Sequence, residues 1–81
     1  MRVRIRLFAR LREIANAGEL ERELDDQATA ETAWSALARD FPAVAEYRPV
    51  VSCAVNEEYA RFDATLHDGD EVAFLPPVSG G

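Results

Sequence analysis

The sequence predicts an α+β domain in which one main helix packs on one face of a mixed sheet. Three observations carry this expectation. Val3, Ile5 and Leu7 alternate with Arg2, Arg4 and Arg6, the period of a half-buried strand. Ala30, Ala33, Trp34, Leu37, Ala38 and Phe41 recur at spacings of 3, 1, 3, 1 and 3, the stripe of an amphipathic helix. Val72 and Phe74 share one face of a last short strand. A single helix beside several strands must lie across one face of their sheet. With 81 residues, one domain over 1–81 is expected, and a chain of this size buries only about 60–65% of the surface its unfolded form exposes.

The elements follow in order. Residues 2–8 read as the first strand. Residues 9–16, ARLREIAN, have helical propensity and stop before Gly18, which predicts a short helix or turn. ELERELDD then alternates Glu19, Glu21 and Glu23 with Leu20, Arg22 and Leu24, a second strand with Arg22 as its imperfect inward position. Paired antiparallel, the two strands would set outward arginines against outward glutamates, and each such cross-strand pair contributes roughly 0.2–1 kcal/mol. Thr29 is placed to cap the main helix and Pro42 to close it, since the residue before a proline is driven out of helical geometry. Residues 43–49 read as an irregular connection. VVSCAVN makes a third strand with Val51, Cys53 and Val55 on one face, Asn56-Glu57-Glu58 a turn, and Tyr59 to Phe62 a short return strand. Asp68-Gly69-Asp70 forms a second turn, and Glu71 to Leu75 the last strand. Strand, strand, helix, strand, short strand, strand, with the most apolar strands first and last, is the pattern of a β-grasp, or ubiquitin-like, domain.

Composition narrows the function. Fifteen acids oppose nine basic residues for a net charge of −6, which argues against nucleic acid as a partner. Every basic residue is an arginine, so the chain offers no internal lysine to an isopeptide bond. Five arginines precede the first acid, Glu13, and from there fifteen acids face four arginines, or −11. An arginine-rich, acid-poor start resembles an organelle-targeting peptide, but such peptides are amphipathic at helical spacing and this one alternates as a strand. No run of 18 apolar residues is present, so no membrane span is expected. One cysteine and one histidine exclude an internal disulfide and a zinc-finger-type site, and point to the cytoplasm.

The interior offers no catalytic constellation. Cys53 falls mid-strand between Ser52 and Ala54, where a buried thiol is expected rather than an electropositive, reactive one. His67 sits in a turn with no second group at motif spacing. Asp68-Gly69-Asp70-Glu71 lacks the twelve-residue loop of a calcium site, and no phosphate-binding glycine motif occurs. No cofactor-binding or metal-binding residue is therefore expected. What remains is the end of the sequence, Pro76 to Gly81. Two prolines stiffen the exit from the last strand, and six extended residues span about 20 Å at ~3.3–3.6 Å each. Such a flexible tail is narrow enough to enter a tunnel in another protein. Gly80 and Gly81 would leave a terminal carboxylate sterically open to chemistry, where a frayed end is the plainer alternative.

DGDEVAFLPPVSGG, residues 68–81, resembles the C-terminal signature of the small, sulfur-carrier subunit of molybdopterin synthase. AVNEEY at 54–59, Phe62-Asp63 and LFARLREI at 7–14 extend the likeness along the whole chain; Leu75 departs from it, many relatives having an aromatic there. The resemblance implies a subunit of a sulfurtransferase, with no complete active site in this chain alone. It implies that an ATP-dependent activating enzyme adenylates Gly81, and that a sulfur donor protein then converts it to a thiocarboxylate. Gly80 and Gly81 enter the large subunit, where the sulfur attacks cyclic pyranopterin monophosphate to build the molybdopterin dithiolene. Two carriers sit at opposite ends of a large-subunit dimer in a heterotetramer. Phe8, Tyr59, Phe74, Leu75, Pro76, Pro77, Val78 and Ser79 match positions that the family places at or near its interfaces. Core packing is the plainer reading of each hydrophobic, and for Phe74 the two readings balance. The net −6 would favour encounter with a large subunit that is basic around its anionic substrate. Two alternatives stay open: a sulfur carrier for tRNA thiolation, thiamine or cysteine synthesis, or a ubiquitin-like protein modifier.

Overall fold

The first and last strands, expected to be the most apolar, lie next to each other and run parallel. In a computed structural model describing residues 1–77, β1 (Arg2–Leu7) pairs with β5 (Glu71–Leu75) in the register Arg4↔Glu71 to Leu7↔Phe74. β2 (Glu19–Glu23) adds antiparallel to β1, and β3 (Ser52–Val55) adds antiparallel to β5 and carries β4 (Glu58–Ala60) on its free edge. The order β2-β1-β5-β3-β4 makes one mixed five-stranded sheet with β5 at its centre. Two α-helices, α1 (Ala9–Ala15) and α2 (Ala30–Asp40), follow β1 and β2, and a 3-10 helix, Pro42–Tyr47, follows α2.

α2 begins where the sequence places its cap. The Thr32 N–H donates to Thr29 Oγ1 at 3.4 Å, and the Thr29 N–H donates to Thr32 Oγ1 at 3.0 Å, a reciprocal capping box. Ala30, Ala33, Trp34 and Leu37 turn to the sheet and bury against Val3, Ile5, Leu7, Val72 and Phe74. Trp34 meets Phe74 edge-on at 5.0 Å between centroids, and Phe62 stacks on Phe74 at 6.0 Å. Among the described residues no polar or charged side chain is buried, so packing alone holds the interior.

Two expectations need correction. Residues 43–49 are not wholly irregular, because Pro42 opens the 3-10 helix rather than only ending α2. Its fixed φ and missing N–H suit a first helical turn, and the helix buries Val44. The return strand is Glu58–Ala60 rather than Tyr59 to Phe62. Asn56 and Glu57 both adopt positive φ (50° and 71°), giving a two-residue hairpin in which Glu58 already pairs with Val55. Phe62 is then free to leave the sheet and pack on Phe74.

The arginine–glutamate ladder forms, in the register Arg2↔Glu23, Arg4↔Glu21 and Arg6↔Glu19. Arg2 reaches Glu23 at 3.3 Å and Glu21 at 3.5 Å, whereas Arg4 and Arg6 lean the other way, onto Glu71 of β5 at 3.9 and 3.7 Å. Arg4→Glu would set a new carboxylate beside both Glu21 and Glu71. Its melting midpoint should fall at low salt and recover partly at 1 M salt, where the screening length drops to about 3 Å. A midpoint unchanged from wild type at low salt would exclude the ladder as a source of stability.

Candidate partner interface and carrier tail

Alternation in each strand divides the sheet into two faces. The face away from α2 holds a row in register across four strands: Arg6, Ala73, Ala54 and Tyr59. Ala54 and Ala73 are short and almost covered, each 8% exposed, while Tyr59 at the edge is 80% exposed. The row therefore makes a shallow apolar depression walled by Tyr59 on one side and Arg6 on the other. One step along β5, Leu75 pairs with Ser52 and is half-buried. Because Leu7 pairs with Phe74 in a parallel register, the next residue, Phe8, comes alongside Leu75. The Arg6 guanidinium lies 5.2 Å from the Phe8 ring centroid, which fixes the half-buried ring on this same face.

Phe8, Tyr59 and Leu75 thus share the exposed face, and Pro76 and Pro77 lead away from its end, the first half-buried and the second exposed. Phe74 does not belong with them. It alternates with Leu75, points to α2 and is wholly buried, so it presents no surface to a partner and acts only as a core residue. Val78, Ser79, Gly80 and Gly81 lie outside the described residues. Sequence reasoning missed Ala54, Ala73, Arg6 and Val50. Val50 is 55% exposed and sits just before β3, at the end of the sheet from which β5 leaves. Alanine has low strand propensity, so two alanines on the outward positions of β3 and β5 were the available signal.

The groups with chemical potential elsewhere are accounted for by packing. Cys53 is buried, its S–H donates to the Ala60 carbonyl at 3.3 Å, and burial pushes the thiol pKa up, so it stays protonated. His67 is exposed at the opposite end of the sheet, 3.7 Å from Asp70. Burial alone would raise the Asp70 pKa. Hydrogen bonds from the Asn56 side-chain amide and the His67 N–H outweigh it and hold the carboxyl below its usual range. Among the described residues no three His, Cys, Asp or Glu side chains converge as metal ligands.

A cleft of about 510 Å³ is lined by Thr29, Glu31, Arg48, Arg61, Phe62 and Asp63. Arg48 spends its hydrogen bonds on Glu31, with Nε 3.1 Å from both carboxylate oxygens and Nη2 2.6 Å from one, and lies 3.6 Å over the Phe62 ring. The Arg48 bond holds the Glu31 carboxyl below its usual pKa against burial. The first amides of α2 are also taken, Ala30 by the Ala64 carbonyl and Glu31 by that of Phe62. This cleft is a structural clamp with no free donor at the helix start for an anion. No helix among the described residues is long and apolar enough to cross a membrane.

The chain matches a known family along nearly its whole length. A family model described as the ThiS family fits residues 5–81. The chain is 35% identical to the molybdopterin synthase sulfur carrier subunit of Arabidopsis thaliana, over 98% of this chain and 82% of that one. With the subunit of the same name from Chlamydomonas reinhardtii it shares 37% identity over the whole of both chains. In structure it resembles SAMP1, a small archaeal modifier protein from Haloferax volcanii, with a TM-score of 0.87 and 31% identity over the whole of both chains. The chain belongs to the ThiS family of ubiquitin-like β-grasp proteins and is a homologue of the molybdopterin synthase sulfur carrier subunits.

Proposed function

We propose that this chain is the sulfur-carrier subunit of a molybdopterin synthase, with Gly81 as the atom-carrying residue. The observation that carries the reading is full-length homology to carriers of that name. It joins a fold whose central strand leaves the sheet beside an exposed apolar face. A terminal carboxylate, with a pKa near 3.3–3.7, is an unreactive anion at neutral pH. Activation must therefore come from outside. An activating enzyme transfers AMP from ATP to the Gly81 carboxylate and releases pyrophosphate, which makes AMP the leaving group. A sulfide equivalent from a sulfur donor protein then attacks the carbonyl carbon and expels AMP, leaving a thiocarboxylate. In the large subunit its sulfur bonds to a side-chain carbon of the cyclic pyranopterin monophosphate as that carbon's bond to oxygen breaks, the oxygen leaving as water or staying on the phosphate. Water cleaves the acyl–sulfur bond, so that Gly81 leaves as a carboxylate and sulfur stays on the pterin. The carrier supplies reach and a reactive end, and its partners supply both nucleotide and pterin sites.

Phe8, Tyr59, Leu75, Pro76 and Pro77 dock the carrier on the large subunit, and Val78, Ser79 and Gly80 pass into its tunnel. Leu75→Glu should weaken large-subunit binding by at least about tenfold, or roughly 1.4 kcal/mol, because it buries a charge in an apolar contact. Titration calorimetry checks this, and an unaltered melting midpoint shows that the fold is intact. Binding within about twofold of wild type would remove this face from the interface. The function itself is tested by combining wild-type carrier, activating enzyme, ATP, a sulfur donor and the large subunit, with dithiolene formation as the expected product.

The likeness to SAMP1 favours one second reading, a modifier conjugated through Gly81 to lysines of other proteins. That reading predicts mass-shifted conjugates resistant to thiol reagents in the producing cell, and no dithiolene in the reconstituted mixture.

A further inference from the structure

The net charge of −6 is unevenly distributed. β1 and β5 are parallel, so the end of β1, the whole of α1 and the root of the tail share one end of the sheet. That end carries Arg6, Arg10 and Arg12. Of the acids nearest them, Glu71 lies 3.7 Å from Arg6, Glu13 is paired with Arg10 at 3.3 Å, and Glu19 stands opposite Arg6 in register. The other end gathers Glu23, Asp25, Asp26, Glu57, Asp68 and Asp70, against Arg2 and the Met1 ammonium, which lies 3.6 Å from Glu23 and 3.7 Å from Asp26. Backbone bonds from Leu24 to Met1 and from Gly69 to Arg2, and the Asn56–Asp70 side-chain bond, tie it together. The molecule is thus an electric dipole whose less negative pole is where the tail emerges.

The arginines at that pole are held in place and stay open to solvent. Arg6 rests on Phe8 and pairs with Glu71, and Arg10 rests on Glu13, with side chains 41% and 59% exposed. Arg12 is exposed and lies against Gly18, where a Cβ would come within 3.3 Å of its Cζ, so the bare glycine is its seat. We infer that Arg6, Arg10 and Arg12 form a collar around the tail root that docks on carboxylates at the mouth of the large subunit's tunnel. The inference rests on the carrier reading above. It also reverses the expectation from net charge: the surface first met is an acidic rim, and the basic pocket lies deeper, where only the tail reaches. Such a dipole turns the tail forward during approach and acts mainly on the association rate.

The test is the association rate of the full chain with the large subunit, by stopped flow at low and at physiological salt. Arg12→Glu should slow association at least about tenfold at low salt and Arg12→Gln by a lesser factor, both converging on wild type as salt rises. Asp26→Arg, at the opposite pole, should change the rate less than about twofold at physiological salt, where the screening length is about 8 Å and only charges near the contact are felt. Melting curves of each variant confirm folding, and Arg12→Gln keeps the test open if the charge reversal unfolds α1. Association of either Arg12 variant as fast as wild type, or faster, overturns the collar while leaving the carrier reading intact. Failure of the wild type to associate at all overturns both.

Discussion

Removing Gly81 is expected to abolish dithiolene formation while leaving the melting midpoint within about a degree of wild type. The deletion leaves a carboxylate on Gly80, about 3.3–3.6 Å short of the position to which the activating and large subunits deliver chemistry. A misplacement of even ~1 Å can cost about a hundredfold when reacting atoms must be aligned, so several ångströms should cost everything measurable. One appended residue should be as damaging, because it displaces the carboxylate and fills its former place. Gly80→Ala, which adds a methyl to the segment proposed to enter the large subunit, should be impaired less completely. The core is untouched in all three, since its residues lie between Val3 and Phe74. Dithiolene yield and thermal melts, measured on the same preparations, separate the two effects.

Phe74→Ala should do the reverse and remove a large share of the stability. Phe74 is wholly buried at the centre of the sheet, meets Trp34 edge-on and stacks on Phe62. Truncating a buried phenylalanine costs about 3–5 kcal/mol, including aromatic pairs worth about 0.5–1.5 kcal/mol each. Domains of this size have total stabilities of about 5–15 kcal/mol, so the loss is a large share. At about 4–8 °C per kcal/mol, the midpoint should drop by at least about 12 °C. Leu75→Ala, one residue on and facing solvent, should cost under about 1 kcal/mol. Urea unfolding of the pair checks this. Equal, small losses from both would mean that Phe74 is not the core anchor its burial indicates.

How far the sequence could be read follows from the kind of signal each element carries. Val3, Ile5 and Leu7 against three arginines leave only a strand, and the Trp34–Leu37 stripe only a helix, so both are legible locally. Phe74 was legible from its alternation with Val72; the resemblance to a family interface weighted it the other way. Pro42 carried an ambiguous signal, because the ring that stops one helix also starts another, and the burial of Val44 is a tertiary event. The hairpin slipped forward because Asn56 and Glu57 both take positive φ, unusual for Glu. Glu71 as the partner of Arg4 and Arg6 was beyond local reading, since a parallel pairing joins residues more than sixty positions apart. The alanine depression was hidden for a different reason: small side chains leave little trace in a hydrophobic pattern. The chemistry proposed for Gly81 rests on the family signature alone, as a glycine pair by itself is a weak signal.

The most direct test of the central claim is the intact mass of the wild-type chain after incubation with activating enzyme, ATP and a sulfur donor. The account predicts a gain of about 16 Da, sulfur replacing oxygen in a thiocarboxylate. Fragmentation should place it on the peptide containing Gly81. An unchanged mass, or a gain of about 32 Da on the peptide containing Cys53, as a cysteine persulfide would give, would contradict it.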